Sequence, residues 1–433
     1  MGRLPHPETK WMRAISNKPS YRQCLSGGFP VLFSQLSHMR WESETHCSGG
    51  GLSFRDRRVN SKSAKISLPG IIKSEMALWV GILAVVVFSL GGSALLGGNG
   101  SAGMAAGSFA AMFAVMLWLS FGVVHHAECL AVKLGEPYGT LILTLSVVSI
   151  EVVMICALML NGSENPTLAR DTMFSVLMIV LNGMLGITLL LGGLRHHRQV
   201  FNLEGARSYL IVLSCLAFLA LVLPNFSRTG GVGSASPLVF GFVAIASVGL
   251  YGIFLFLQST RHRDFFEHPS EEGEGGEGHG RLETHSTAYH AIFLVLSLLP
   301  IVLLAKKIAL VLEFGISALQ APQALAGFVV AFLVLAPESL AACKAALQNT
   351  LQRTVNIVLG SALATIGLTV PAALGLSALT GQHIILGLAP LELALLLATF
   401  FSSTLVFAGN RTNMLAGAVH LVLFAAYAVL IFD

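Results

Sequence analysis

From Met76 onward the chain is built of solid apolar runs rather than of alternating or amphipathic stretches. The runs fall at 77–96, 104–124, 139–160, 173–194, 208–224, 237–258, 288–305, 324–343, 355–376, 384–406 and 412–432. Each holds about 18–25 residues, enough to cross ~30 Å of hydrocarbon as a helix. Barrel strands are excluded, because they would alternate over about 10 residues. The pattern predicts eleven helices.

Composition agrees. Of 433 residues, 54% are hydrophobic and only 11% are charged, less than half the ~25% usual in soluble domains. Such a chain cannot build a water-facing surface over its whole body, so it reads as a polytopic membrane protein. The net charge of +4 does not indicate a nucleic-acid partner. Residues 1–75 hold 12 Lys/Arg against 5 Asp/Glu, whereas residues 76–433 hold 14 against 17. The first 75 residues are Ser/Gly-rich, basic and without a period. They read either as a disordered cytoplasmic extension or, if the chain starts at Met76, as a mis-assigned start. Loops after even-numbered helices carry ten Lys/Arg, and those after odd-numbered helices carry four: Arg170, Arg228, Lys306 and Lys307. Basic loops stay inside, so the N-terminus is expected in the cytoplasm and the C-terminus outside.

One loop divides the chain. Arg261–His285 reads RHRDFFEHPSEEGEGGEGHGRLETH, with seven acids and four histidines. With the first helix (76–103) set apart, it splits the rest into five helices (104–258), an acidic Gly/His-rich linker (259–287) and five more (288–433). An odd-numbered unit repeated in tandem enters the membrane upside down the second time, the geometry of inverted-repeat transporters. The expected fold is therefore all-α, one extra N-terminal helix plus two inverted five-helix repeats.

Intramembrane acids carry the chemistry. A carboxylate at a helix centre costs about 2.5–3.5 kcal/mol to insert and seldom lacks a function. Glu151 lies in the middle of GTLILTLSVVSIEVVMICALML, and Glu338 in GFVVAFLVLAPESLAACKAAL. Each sits on the second helix of its half. Two facing carboxylates are hard oxygen ligands suited to Ca²⁺, Na⁺ or protons. Each acid is followed by a hydroxyl-bearing helix, with Thr172 and Ser175 after Glu151, and Ser361 and Thr365 one turn apart after Glu338. Pro337 removes an amide donor beside Glu338 and is expected to break that helix, freeing a carbonyl.

These residues resemble the cation/proton exchanger branch of the calcium/cation antiporter superfamily, most of all its bacterial ChaA-type calcium/sodium(potassium)–proton antiporters. The resemblance extends over roughly 104–433. It rests on GEPYGTLILTLSVVSIEV, APESLAACKAALQNTLQRTVNIVLGSALATIGLTVP, GGLRHHRQVFN (192–202) and the run GNRTNMLAGAVHL from Gly409, and the acidic linker is a family feature too. It implies that Glu151 and Glu338 bind cation and protons, with Ser175 and Ser361 as neighbours. The chain departs from the pattern just before each Glu. Where many members carry oxygen-bearing residues it has Val147 and Val148, and Val334 and Leu335, so Na⁺ or K⁺ become credible cargo beside Ca²⁺.

Weaker candidates are Glu392 near the start of the tenth helix, His125, His126 and Glu128 at the inner end of the second, and His196 and His197. The histidine pairs read as solvated helix ends, and Glu392 as a carboxylate snorkelling to the interface. Glu271, Glu272, Glu274 and Glu277 of the linker read as a charge-solvated tether or as a Ca²⁺-sensing loop. The Cys residues form no CxxC pair, and no cofactor is expected beyond the transported ions. The expected partners are the bilayer and inorganic cations, and the sequence sets no oligomeric state. A primary pump lacks a GxxxxGK[ST] loop, and an intramembrane hydrolase lacks HExxH and GxSxG. The expected function is a secondary antiporter exporting Ca²⁺, with Na⁺ or K⁺, against protons. A cation channel lined by the same acids is the alternative.

Overall fold

The structure, a computed structural model, describes residues 73–91, 102–134, 138–161, 165–227, 233–266, 285–409 and 411–432. The linker acids Glu271, Glu272, Glu274 and Glu277, and residues 1–72, lie outside them. The described chain is an all-α polytopic membrane protein. Its rods are α1 (Met76–Leu90), α2 (Ala102–Leu134), α3 (Tyr138–Asn161), α4 (Leu168–His196), α5 (Leu203–Phe226), α6 (Pro237–Arg261), α7 (Thr287–Leu319), α8 (Ala324–Leu347), α9 (Leu351–Thr380), α10 (Pro390–Val406) and α11 (Met414–Leu430). Seven of them are long and apolar enough to span a bilayer, and shorter apolar helices make up the rest. The one strand pairing among the described residues joins Gln199–Val200 antiparallel to Arg411–Thr412.

Helix positions follow the apolar runs, with three differences. The rods α2 and α7 each continue to 33 residues, about 50 Å. Lys306 and Lys307 therefore lie inside α7 rather than in a loop. They come about 30 Å along the helix from Thr287, a full hydrocarbon thickness, where their ammonium groups can reach the far interface. The helix goes on past them because Ile308, Ala309, Val311, Leu312 and Ile316 still have a core to enter. Second, α10 starts at Pro390, and the residues before it are extended. Their amides bond other backbone, Ile385 to Pro166, Leu386 and Gly387 to Gly233, and Leu388 to Leu221. Third, α8 runs unbroken through Pro337, because the flanking turns are held by packing on both sides.

Two apolar cores hold the rods together. One is centred on α4, α5 and α9, the other on α2 and α7. The helices α3 and α8 enter both. Val148 and Ile155 of α3 join the first core, and Ile150, Met154 and Leu158 the second. Ala331, Leu335 and Ala342 of α8 face the first, and Val330, Leu333 and Val334 the second. The acid-bearing helices thus form the seam.

The most enclosed rods are α4 and α9, with 83% and 72% of their apolar windows buried against 22% for α6. Each contains a wide π-turn, Ile179–Met184 in α4 and Thr365–Thr369 in α9. In α9 the cause is Pro371. It offers no N–H to the carbonyl of Gly367 and its ring presses against that group, so the turn before it widens.

The crossing of α4 with α11 depends on small residues. A Cβ on Gly417 would lie 2.5 Å from the Leu190 amide nitrogen and 2.7 Å from the Gly186 carbonyl oxygen. Gly417→Val should therefore cost about 1–3 kcal/mol or more through overpacking, seen as a lowered thermal midpoint in detergent. Gly375→Ala, where an added Cβ meets nothing, should leave the midpoint unchanged or slightly raised. Equal midpoints for all three proteins would refute this close crossing.

Candidate functional site

The two intramembrane acids lie on antiparallel helices. Near the end of α3, Asn165 donates to Gln323 at the start of α8 (3.4 Å). At the opposite end, the Leu347 carbonyl of α8 meets His196 Nε2 at the end of α4 (2.9 Å), and Gln199 donates to the Ala346 carbonyl (2.8 Å). Counted from the shared end, Glu151 lies about 15 Å down α3 and Glu338 about 21 Å down α8, a difference of one turn.

That one-turn offset is matched on α9. Ser361 Oγ donates to Glu338 Oε2 at 2.5 Å, and Thr365 Oγ1, one turn later, donates to Glu151 Oε2 at 2.6 Å. Thr369, a further turn on, donates to Glu151 Oε1 at 3.3 Å. A single helix thereby holds both carboxyl groups through a ladder of hydroxyls spaced four residues apart, on one face. Glu151 is 2% exposed, and Glu338 is partly buried. The two carboxylates also lie within range of each other's charge. A hydroxyl donating its proton to a carboxylate keeps lone pairs for a cation, and it can turn to accept from a protonated carboxyl. Ser and Thr can therefore bond these acids in either the charged or the neutral form.

The other expected neighbours bond elsewhere. Thr172 Oγ1 donates to the Leu168 carbonyl (2.8 Å), as hydroxyls on buried helices commonly do. Ser175 Oγ donates to the Asp171 carbonyl (2.6 Å) and meets Tyr427 Oη of α11 (2.6 Å). Glu392 accepts from the Ala389 amide (2.9 Å) and so caps α10. Val148, Val334 and Leu335 are buried, so these positions offer apolar surface where oxygen donors were absent in sequence. His126 is no solvated helix end. It is 2% exposed, and Glu75 and His290 bracket it.

Three features were missed in sequence. Thr369 completes the hydroxyl ladder, and its spacing of four from Thr365 was the available signal. In the wide turn of α4, Asn182 donates to Thr399 Oγ1 (2.8 Å) and accepts from His420 Nδ1 (3.0 Å), a wholly buried polar set. A cavity of about 520 Å³ opens where the end of α3, the start of α4 and the end of α9 meet, lined by Met159, Asn165, Leu168, Thr380, Gln382 and His383. Its Met159 wall stands about 12 Å along α3 from Glu151.

Comparison with known proteins gives this arrangement a context. The family described as sodium/calcium exchanger protein matches residues 104–260 and 289–432. The sodium-potassium/proton antiporter ChaA of Escherichia coli (strain K12) is 42% identical over 315 residues, covering 72% of this chain and 85% of ChaA. Among solved structures, native YfkE superposes with a TM-score of 0.63 at 18% identity, covering 82% of this chain and 99% of YfkE. The H⁺/Ca²⁺ exchanger CAX does so with 0.57 at 18% identity, covering 81% and 88%. At these identities the two structures establish the fold.

Thr365→Val keeps the side-chain shape but leaves Glu151 with one donor. Losing a hydrogen bond to a charged group costs about 1.5–3 kcal/mol, or roughly 10–100-fold in cation affinity. Thr172→Val, which removes only a helix-internal bond, should stay within about two-fold. Titrations of the purified variants with Ca²⁺, Na⁺ and K⁺ check this, and equal losses at the two positions would deny α9 its special place.

Proposed function

Since this chain belongs to the sodium/calcium exchanger protein family, we propose that it is a secondary antiporter that exports Ca²⁺, and with it Na⁺ or K⁺, against inward protons. It would sit in the bacterial inner membrane with its N-terminus in the cytoplasm and its C-terminus outside. The observation that carries the reading is the pair of carboxyl groups on antiparallel helices, held one turn apart by Ser361, Thr365 and Thr369 of α9. The sodium-potassium/proton exchange of the bacterial relative supports the proton coupling.

Competition for one site is the mechanism. With the site open to the cytoplasm, Glu151 and Glu338 give up protons as a cation enters, since the cation offsets the cost of two buried charges. The hydroxyls of α9 then donate to the carboxylates and turn lone pairs to the cation. On the far side, protons displace the cation, and the hydroxyls reverse their role and accept. An empty, doubly charged site is costly to occlude, whereas the cation-loaded and the proton-loaded forms are both close to neutral. Only loaded forms therefore switch access, and this is what couples the two fluxes. The seam position of α3 and α8 between two cores lets the cores shift relative to each other about the site, and the wide turns of α4 and α9 are where the backbone can yield.

The oxygen supply bears on cargo. Ca²⁺ takes six to eight oxygens, and the apolar Val148, Val334 and Leu335 contribute no side-chain donor. This thin set supports Na⁺ or K⁺ as cargo beside Ca²⁺.

Glu151→Gln should fold normally, judged by an unchanged elution profile, and lose exchange. In the wild type, apparent cation affinity should weaken as pH falls, by roughly tenfold per pH unit for each proton displaced. Exchange at the wild-type rate in Glu151→Gln, or an affinity flat with pH, would defeat the carboxylate model. Cation flux that persists without any proton flux would identify a channel.

A further inference from the structure

A second set of titratable groups lies at the end of the membrane domain where α2 finishes and α7 begins, away from the carboxylate pair. Glu75, just before α1, is 7% exposed, and His126 of α2 and His290 of α7 are each 2% exposed. Glu75 Oε1 accepts from Tyr289 Oη, and Glu75 Oε2 accepts from His126 Nε2 (3.0 Å). His126 Nδ1 then meets His290 Nδ1 at 3.1 Å. Ser74 Oγ bonds Tyr289 Oη at 3.1 Å. The chain of contacts therefore ties three separate segments together.

Proton positions follow from the chemistry. Burial of Glu75 opposes its ionisation, but the bonds it receives, first from His126 and then from Tyr289, outweigh burial and hold its carboxyl below the usual value. An ionised Glu75 requires His126 Nε2 to carry hydrogen. Two Nδ1 atoms at hydrogen-bond distance share one proton between them. With both rings neutral, His126 carries its hydrogen on Nε2, the shared proton belongs to His290 Nδ1, and His290 Nε2 is left as the vacant basic nitrogen, buried with no hydrogen-bond partner among the described residues. A proton placed there would create a charged, buried N–H with nothing to accept it, at a cost that favours opening. Three further titratable groups face His290, namely His125 and Lys133 of α2 and His285 before α7. Lys133 Nζ is itself anchored on the His285 carbonyl. On the other side, α1 has no titratable residue. Glu151 of α3 and Glu338 of α8 are engaged with α9. No three His, Cys, Asp or Glu side chains among the described residues are placed to hold a metal ion, so the proton is the ligand this geometry fits.

We propose that Glu75, His126 and His290 form a second proton-binding site that acts as a regulatory latch. Neutral imidazoles keep it closed, and a proton on His290 opens it. Closed, it fixes the ends of α2 and α7, the two 33-residue helices whose shared core also takes in α3 and α8. Opened, it frees the start of α7 and slows the exchange that depends on that frame. The side from which it reads pH is the cytoplasm in the orientation proposed above.

The test compares the wild type with His290→Gln, whose amide can still donate to His126 but cannot titrate. Hydrogen–deuterium exchange of the peptide 285–293 is measured on the full-length protein at about pH 7.5 and about pH 5.5, across the usual imidazole range, after correction for intrinsic rates. The wild type should lose protection at the lower pH by at least about tenfold, the factor that one protonation-linked opening gives per pH unit. His290→Gln should change by less than about two-fold. Glu75→Gln, lacking the carboxylate that favours the protonated state, should open only at a more acidic pH than the wild type. This readout needs no transport, so it stands or falls separately from the antiport mechanism. In proteoliposomes, the acid-side fall in exchange rate should be present in the wild type and absent in His290→Gln. Wild-type protection that does not change with pH, or pH responses in His290→Gln that match the wild type, would overturn the latch.

Discussion

Everything in this molecule is arranged around the cost of keeping two carboxyl groups inside hydrocarbon. Among the described residues no Lys or Arg is paired with Glu151 or Glu338. They are stabilised instead by hydroxyls from one helix, Ser361 for one acid and Thr365 with Thr369 for the other. A basic partner would neutralise the acids permanently and leave a cation nothing to gain. Hydroxyls stabilise without neutralising, and they can donate or accept as the protonation of the acids changes. The site is thereby held in shape without its charge being cancelled.

The rest of the architecture follows. The rod α9 must lie between α3 and α8 to reach both acids, which forces it deep into the molecule and makes it one of the most buried helices. A proline within that rod widens the turn carrying Thr365 and Thr369, so the backbone is least regular where it meets Glu151. The acid helices enter two separate apolar cores. The α4–α11 crossing is tight, as the Gly186–Gly417 contact shows, and the acids lie at the seam between the two cores. The histidine cluster at the start of α7 is a second buried polar feature on the α2–α7 frame.

Much of this was legible in sequence, and for physical reasons. Glu151 stands alone in an apolar run, so its cost is visible without any structure. The helices themselves are fixed by run length, and most positions agree with the rods. What sequence could not supply was register between helices. Thr365 was expected beside Glu338, which precedes it in the same half, yet it bonds Glu151, because α9 also packs on α3 of the other half. Thr172 and Ser175 share the composition of the ladder but turn to their own helix and to Tyr427. Lys306 and Lys307 resembled a loop because charge usually ends a span, and only the length of α7 shows that they lie within a helix. The Glu75–His126–His290 chain joins residues from three distant segments, and no local spacing could announce it.

The central claim is that cation and protons compete for Glu151 and Glu338. Proton release on cation binding tests it without any need for transport. Purified wild-type protein in weakly buffered detergent solution, with a pH-sensitive dye, is titrated with Ca²⁺, Na⁺ and K⁺ in turn. The account predicts that whichever cation binds will acidify the solution in proportion to the site occupied, and that the double variant Glu151→Gln, Glu338→Gln will neither bind it nor release protons. Binding of the same cation with no proton release, or release that survives in the double variant, would contradict the account.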